Sequence, residues 1–212
     1  IEANTNLVKQ IKSDVKQFID NEKLIVENVA LTDDENVKNI DFYISKVNDV
    51  LSTLYPDDKQ TLIDELITEL ADELITPIYR AGFAKDQQTY QSYFEKVFTC
   101  LTELDKRLGE TGSYIAGDNL TLADVHAYPH LSRFDATYHS LYRLNKHFIR
   151  DYTNIRDYMA RLGEIPAFGE TLDVQAFKDG YFLAWNQPTE GNFTPVGPEV
   201  NPRSGVANTV NT

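Results

Sequence analysis

A mainly α-helical fold is predicted, with a small β-hairpin ahead of it. Three observations carry this. Between residues 57 and 185 apolar residues recur at steps of three and four, the spacing of a helix face. Residues 14–28 instead alternate around Asp20-Asn21-Glu22, which is turn chemistry between two short strands. Residues 186–212 are rich in Pro, Gly, Asn and Thr, which predicts an extended tail that can end in disorder.

The elements follow in order. Residues 5–13 can form a helix with Leu7, Val8 and Ile11 on one side. Residues 14–19 and 23–27 are the two strands of the hairpin. Val37, Ile40, Ile44, Val47, Leu51 and Leu54 then mark a linker helix opened by Asp33 or Asp34. Tyr55-Pro56-Asp57-Asp58 ends it, because the residue before proline avoids the helical region. Leu62, Leu66, Leu70 and Leu74 form the next stripe, widened by Ile63, Ile67 and Ile78. Asp64, Glu65, Glu69, Asp72 and Glu73 are expected on its solvated side. Asp86 caps a helix carrying Tyr90, Phe94, Val97, Leu101, Leu104 and Leu108, closed by Gly109. Thr121 opens another, and residues 149–163 and 173–185 complete the set. The expected domains are thus 1–55, 56–185 and 186–212.

Composition narrows the function. The chain has 212 residues and a net charge of −13. Such a surface repels phosphate backbones and argues against nucleic-acid partners. No apolar run approaches the length of a membrane span. The single cysteine, Cys100, excludes a disulfide framework within the chain and suits a reducing cytoplasm. The sequence begins at Ile1 rather than Met, which is read as an N-terminus that is processed, trimmed or preceded by a further segment.

Few residues point to chemistry by type and spacing. Cys100 falls on the apolar side of its helix, between Val97 and Leu104, with no nearby His or Lys to lower its pKa. It is expected to be a core thiol. His126 and His130 stand four apart, a spacing that can present two imidazoles on one helix face. They would need a third ligand such as Asp124 or His139, and Pro129 lies between them. Packing is the favoured role, and no metal site is assigned. Thr121-Leu-Ala-Asp124 has the form of a capping box, whose loss costs about 1–2 kcal/mol. Tyr79 and Tyr181 can donate to a ligand oxygen, although packing suffices for either alone.

At Gly117-Asp-Asn-Leu-Thr-Leu-Ala-Asp124 the sequence resembles the C-terminal helical domain of glutathione transferases. Ile78-Tyr-Arg-Ala-Gly-Phe-Ala84, Leu131-Ser-Arg-Phe-Asp135, Ile149-Arg-Asp-Tyr152, Tyr181-Phe and Pro195-Val-Gly-Pro198 follow in one order. Together they resemble the xi class, the glutathionyl-hydroquinone reductases, over residues 54–198. The resemblance implies a glutathione transferase C-terminal-like helical bundle preceded by the remnant of a thioredoxin-like domain. It implies deglutathionylation of glutathionyl-hydroquinones, with glutathione as co-substrate. It also implies substrate-binding hydroxyls at Tyr79 and Tyr181 and a homodimer formed through the helical domain.

Departures from the pattern set a second expectation. No C-P-W-A nucleophile motif occurs in this chain, so the chain alone is expected to be inactive. Lys16 stands where the family has a cis-proline, and Val29 and Ala30 where it has Glu-Ser. These positions make glutathione binding doubtful. Gly180 replaces a His, and Ala184-Trp185 a Ser-His. The alternative is therefore a degenerate, non-catalytic transferase-like binding or dimerisation domain.

Overall fold

A computed structural model of the chain describes residues 45–46, 49–183 and 193–208. The expected hairpin at 14–28, Lys16, Val29, Ala30 and Trp185 lie outside these residues. The chain divides after Thr68 into two compact units. In the first, residues 45–46 and 49–54 are helical, and α1 begins at Gln60 (Gln60–Leu70). Ile63 and Leu66 are buried, whereas Leu62 is 43% exposed. The expected stripe is therefore buried through Leu66, Leu70 and Leu74, with Ile63 beside it, and only its first leucine, Leu62, faces outward. Asp64 is also buried rather than solvated, and it accepts a hydrogen bond from the Tyr55 hydroxyl at 2.8 Å.

The second unit, residues 69–212, is a helical bundle. A π turn at Ala71–Ile75 leads into α2 (Thr76–Gly82). Asp86 then caps α3 (Gln87–Thr111) by accepting the Thr89 N–H at 2.8 Å. This helix runs past Gly109 and stops at Gly112, whose φ of 112° is open to glycine and strained for other residues. Next come α4 (Leu122–Arg133), a second π turn at Phe134–Tyr138 and a single turn at His139–Leu141. A 3₁₀ turn (Ile149–Asp151), α5 (Thr153–Gly163), a short turn (Pro166–Gly169) and α6 (Val174–Phe182) complete it. Among the described residues there is no sheet, only the isolated bridges Tyr114–Gly117 and Val200–Ala207.

The core forms where the long α3 packs against α2 and α5. Leu74, Ile78, Val97, Leu101, Leu131, Phe134, Ile155 and Met159 are fully buried, each contributing about 1.5–3 kcal/mol by leaving water. Asp105 in α3 holds the start of α5, accepting from the Asn154 and Ile155 N–H groups at 2.8 and 3.0 Å.

Thr121 and Asp124 do open α4 as a cap, but Asp124 is more than a cap. One carboxylate oxygen accepts from the Thr121 N–H at 2.8 Å and the Thr121 hydroxyl at 3.0 Å. The other accepts from the Ile115 N–H at 3.0 Å and the Tyr158 hydroxyl at 2.9 Å. The group is fully buried, so these four donors replace its hydration.

The described part of the tail is extended and tied down. Lys178, itself buried, donates to the carbonyls of Pro195, Val196 and Gly197 at 3.2, 3.0 and 3.4 Å. Further on, residues 204–207 are buried. Ala207 N–H donates to Asp135 at 2.7 Å, and Ile149 N–H to the other oxygen of the same carboxylate at 2.8 Å.

Candidate functional site

Tyr79 lies on α2 and Tyr181 on α6, and the fold brings their hydroxyls to 3.0 Å. A third residue, Tyr138, joins them at 3.1 Å from Tyr79 and 3.0 Å from Tyr181. Three phenols thus meet at one point, drawn from three segments of the second unit. Each has one donor and two acceptor lone pairs. A closed ring of three hydrogen bonds uses one donor and one lone pair on each oxygen. One lone pair per hydroxyl remains for a ligand donor, and turning one hydroxyl outward frees a donor for a ligand oxygen. The trio therefore suits a ligand that both donates and accepts, as a phenol does.

Burial raises the Tyr79 and Tyr138 phenols above their ordinary pKa, so both keep their protons at neutral pH. Tyr138 is fully buried and Tyr79 half-buried. Aromatic neighbours fix the rings. Tyr142 stacks on Tyr138 with centroids 5.6 Å apart, and Tyr79 meets Tyr138 and Tyr142 edge-on, both at 5.8 Å. Gly82, one turn beyond Tyr79, lets α2 approach this stack, because a Cβ there would fall inside the Tyr142 ring.

Tyr138 was not among the residues the sequence singled out. It closes a π turn, as does the segment that precedes α2. A π turn inserts one residue into the helical register and rotates the residues after it. A reading at period 3.6 therefore misplaces Tyr138. The signal within reach was the repeated aromatic spacing Phe134, Tyr138, Tyr142.

Beside the trio, among the described residues, Arg133, Ala176, Phe177, Gly180 and Tyr181 line an open cleft of about 350 Å³. Gly180 leaves open space, with no other part of the described residues within 4 Å of a Cβ there.

The other candidates lie elsewhere or serve packing. Cys100 is buried, and burial together with Glu69 and Glu73 pushes its thiol up to about 12. At neutral pH it is not a thiolate, and so not a nucleophile. His126 and His130 share α4, which continues through Pro129, with ring centroids 6.4 Å apart. Burial pushes His130 down to about 4 and lowers His126. Asp124, their suggested third ligand, is committed to its four donors. Among the described residues no three His, Cys, Asp or Glu side chains stand together as metal ligands.

Residues 87–161 match the family model described as the glutathione S-transferase C-terminal domain. The chain carries a glutathione transferase C-terminal domain. The relatives of this transferase domain narrow its class. Glutathionyl-hydroquinone reductase YqjG of Escherichia coli is 33% identical over 144 residues, 68% of this chain and 44% of that protein. Glutathione S-transferase omega-like 2 of Schizosaccharomyces pombe is 35% identical over 70% of this chain and 48% of that protein. The solved xi-class transferase of Natrialba magadii superimposes with a TM-score of 0.66 at 29% identity, over 70% of this chain and 45% of that one. The chain spans about half the length of the curated relatives it matches. Among the described residues no helix is long and apolar enough to cross a membrane.

Proposed function

We propose that this domain is the aromatic-substrate half of a glutathione-dependent reductase acting on glutathionyl-hydroquinones. The meeting of the Tyr79, Tyr138 and Tyr181 hydroxyls within 3.1 Å beside an open cleft supports this reading most directly. Three phenol hydroxyls can hold a quinol oxygen while aromatic surface receives the ring. The similarity to a protein named glutathionyl-hydroquinone reductase, and to its structure described as glutathione-bound, points the same way.

The chemistry assigned to the complete protein is thiol exchange. A cysteine thiolate attacks the sulfur of the aryl thioether, the aryl carbon–sulfur bond breaks, and the ring carbon takes a proton. Hydroquinone leaves, and a cysteine–glutathione disulfide remains. A second glutathione thiolate then attacks that disulfide, releasing oxidised glutathione and restoring the cysteine. The nucleophile in this scheme is not Cys100, whose thiol is held protonated in the core. The Tyr hydroxyls hold the quinol oxygen and stabilise charge on it as the ring carbon is released. The reading places the protein in the cytoplasm as a homodimer paired through the helical domain. Analytical ultracentrifugation tests the pairing.

The ligand role is tested by titrating the 212-residue chain with hydroquinone. Saturable binding between millimolar and micromolar is expected, about 4–8 kcal/mol. A Tyr79→Phe/Tyr181→Phe variant is expected to lose at least tenfold in affinity while remaining folded. Equal binding by the folded variant would return both residues to packing.

A further inference from the structure

The cleft beside the tyrosines contains a cation with no carboxylate partner among the described residues. Arg133 ends α4 and lines the cleft with Phe177 and Tyr181. Its guanidinium lies over the Phe177 ring, 4.8 Å from the centroid. Stacking on an aromatic face engages the flat side of the group and leaves its in-plane N–H edge free. No carboxylate of the described residues pairs with it, and its Nε is buried without a hydrogen-bond partner. The Thr137 hydroxyl donates to the Arg133 backbone carbonyl at 2.7 Å across the π turn, and the Phe177 ring holds the guanidinium.

We propose that Arg133 makes this cleft selective for aromatic compounds that carry an acidic substituent. The ligand ring lies against Phe177 and Tyr181, its carboxylate accepts from the guanidinium edge, and a phenolic hydroxyl reaches the tyrosine trio. This rests on the reading of the cleft as an aromatic-ligand site and adds which aromatics it prefers. The net charge of −13 repels anions at long range. Any preference for an acid over its neutral isostere must therefore come from a local cation, and Arg133 is the cation lining this cleft among the described residues.

The probes are 4-hydroxybenzoate and 4-hydroxybenzamide, which differ in charge and little in shape. They are titrated against the 212-residue chain near neutral pH, with hydroquinone alongside. The wild type is expected to bind the acid at least tenfold more tightly than the amide. Arg133→Gln is expected to reduce that ratio to within twofold. Should Arg133→Gln fail to fold, Arg133→Lys serves in its place. It keeps the charge without the planar fork and is expected to lower the ratio at least threefold. Equal binding of acid and amide by the wild type overturns the assignment, and so does a preference that survives loss of the guanidinium. The readout separates this idea from the one beneath it. Hydroquinone binding that depends on the tyrosines, with no acid preference, overturns the role of Arg133 alone. An acid preference that depends on Arg133, with no hydroquinone binding, supports Arg133 and overturns the quinol reading.

Discussion

Asp124 shows how one side chain can carry a fold. Its carboxylate is fully buried and takes four hydrogen bonds from three separate segments: Ile115, Thr121 and Tyr158. The local motif accounted for the Thr121 bonds and implied a cost of about 1–2 kcal/mol on removal. Tyr158 and Ile115 lie 34 and 9 residues away, beyond what a capping pattern encodes. Asp124→Ala leaves the Tyr158 hydroxyl and two backbone N–H groups buried without acceptors, at about 1–3 kcal/mol for each unmet donor. Urea denaturation is expected to show a loss of about 3 kcal/mol or more, and a loss near 1 kcal/mol would reduce Asp124 to a cap. Cys100 is the complementary case, since its helical position between Val97 and Leu104 sufficed to place it in the core. With its thiol pushed up to about 12, thiol reagents are expected to label it in the native chain far more slowly than in urea.

Among the elements, the two π turns matter most to the site. One precedes α2, which carries Tyr79, and the other ends at Tyr138. Helix existence was legible from apolar spacing, and Ile63, Leu66, Leu70, Leu74 and Ile78 are all buried. The phase was legible too, except at the edges of the stripe. The leucine series began at Leu62, which is exposed, and Asp64 was counted on the wet side although it is buried. Those two misses lie in a regular helix, whereas step counting at a constant 100° per residue cannot register the π turns at Ala71–Ile75 and Phe134–Tyr138. Tyr79 and Tyr181 were found through a resemblance in their flanking residues, whereas Tyr138 needed the fold. Close approach of α2 is a further element-scale requirement. Gly82→Ala places a methyl group in the Tyr142 ring. The overlap is expected to destabilise the domain by about 1–3 kcal/mol and to displace the ring stacked on Tyr138. Thermal melting and the aromatic circular dichroism band report both effects, and an unchanged melt would show that Tyr142 moves freely.

For the whole molecule, two buried titrating groups oppose each other. Burial pushes Asp135 up to about 6, against the N–H donors of Ile149 and Ala207. The folded state then holds that proton more tightly than the unfolded chain. The Asp135 contribution to stability falls as pH rises from about 4 to about 6, by about 3 kcal/mol. His130, pushed down to about 4 by burial first and the charges of His126 and Arg133 second, behaves the other way. Its contribution is complete above about 6.5 and is lost as pH falls toward about 4, again by about 3 kcal/mol. The two slopes oppose each other over much of the same window, and His126 and His139, also lowered by burial, add to the His130 side, so urea midpoints of the wild type are expected to depend on pH less steeply than those of Asp135→Asn. His130→Leu is expected to uncover a stability that falls with rising pH, and Asp135→Asn one that falls with acidification. Parallel profiles for the two variants would contradict this. The tyrosine trio itself is tested most directly by calorimetric titration of hydroquinone into the 212-residue chain and into its Tyr79→Phe/Tyr181→Phe variant. Saturable binding that weakens at least tenfold in a folded variant is the expected result, and equal affinity in the two proteins would contradict it.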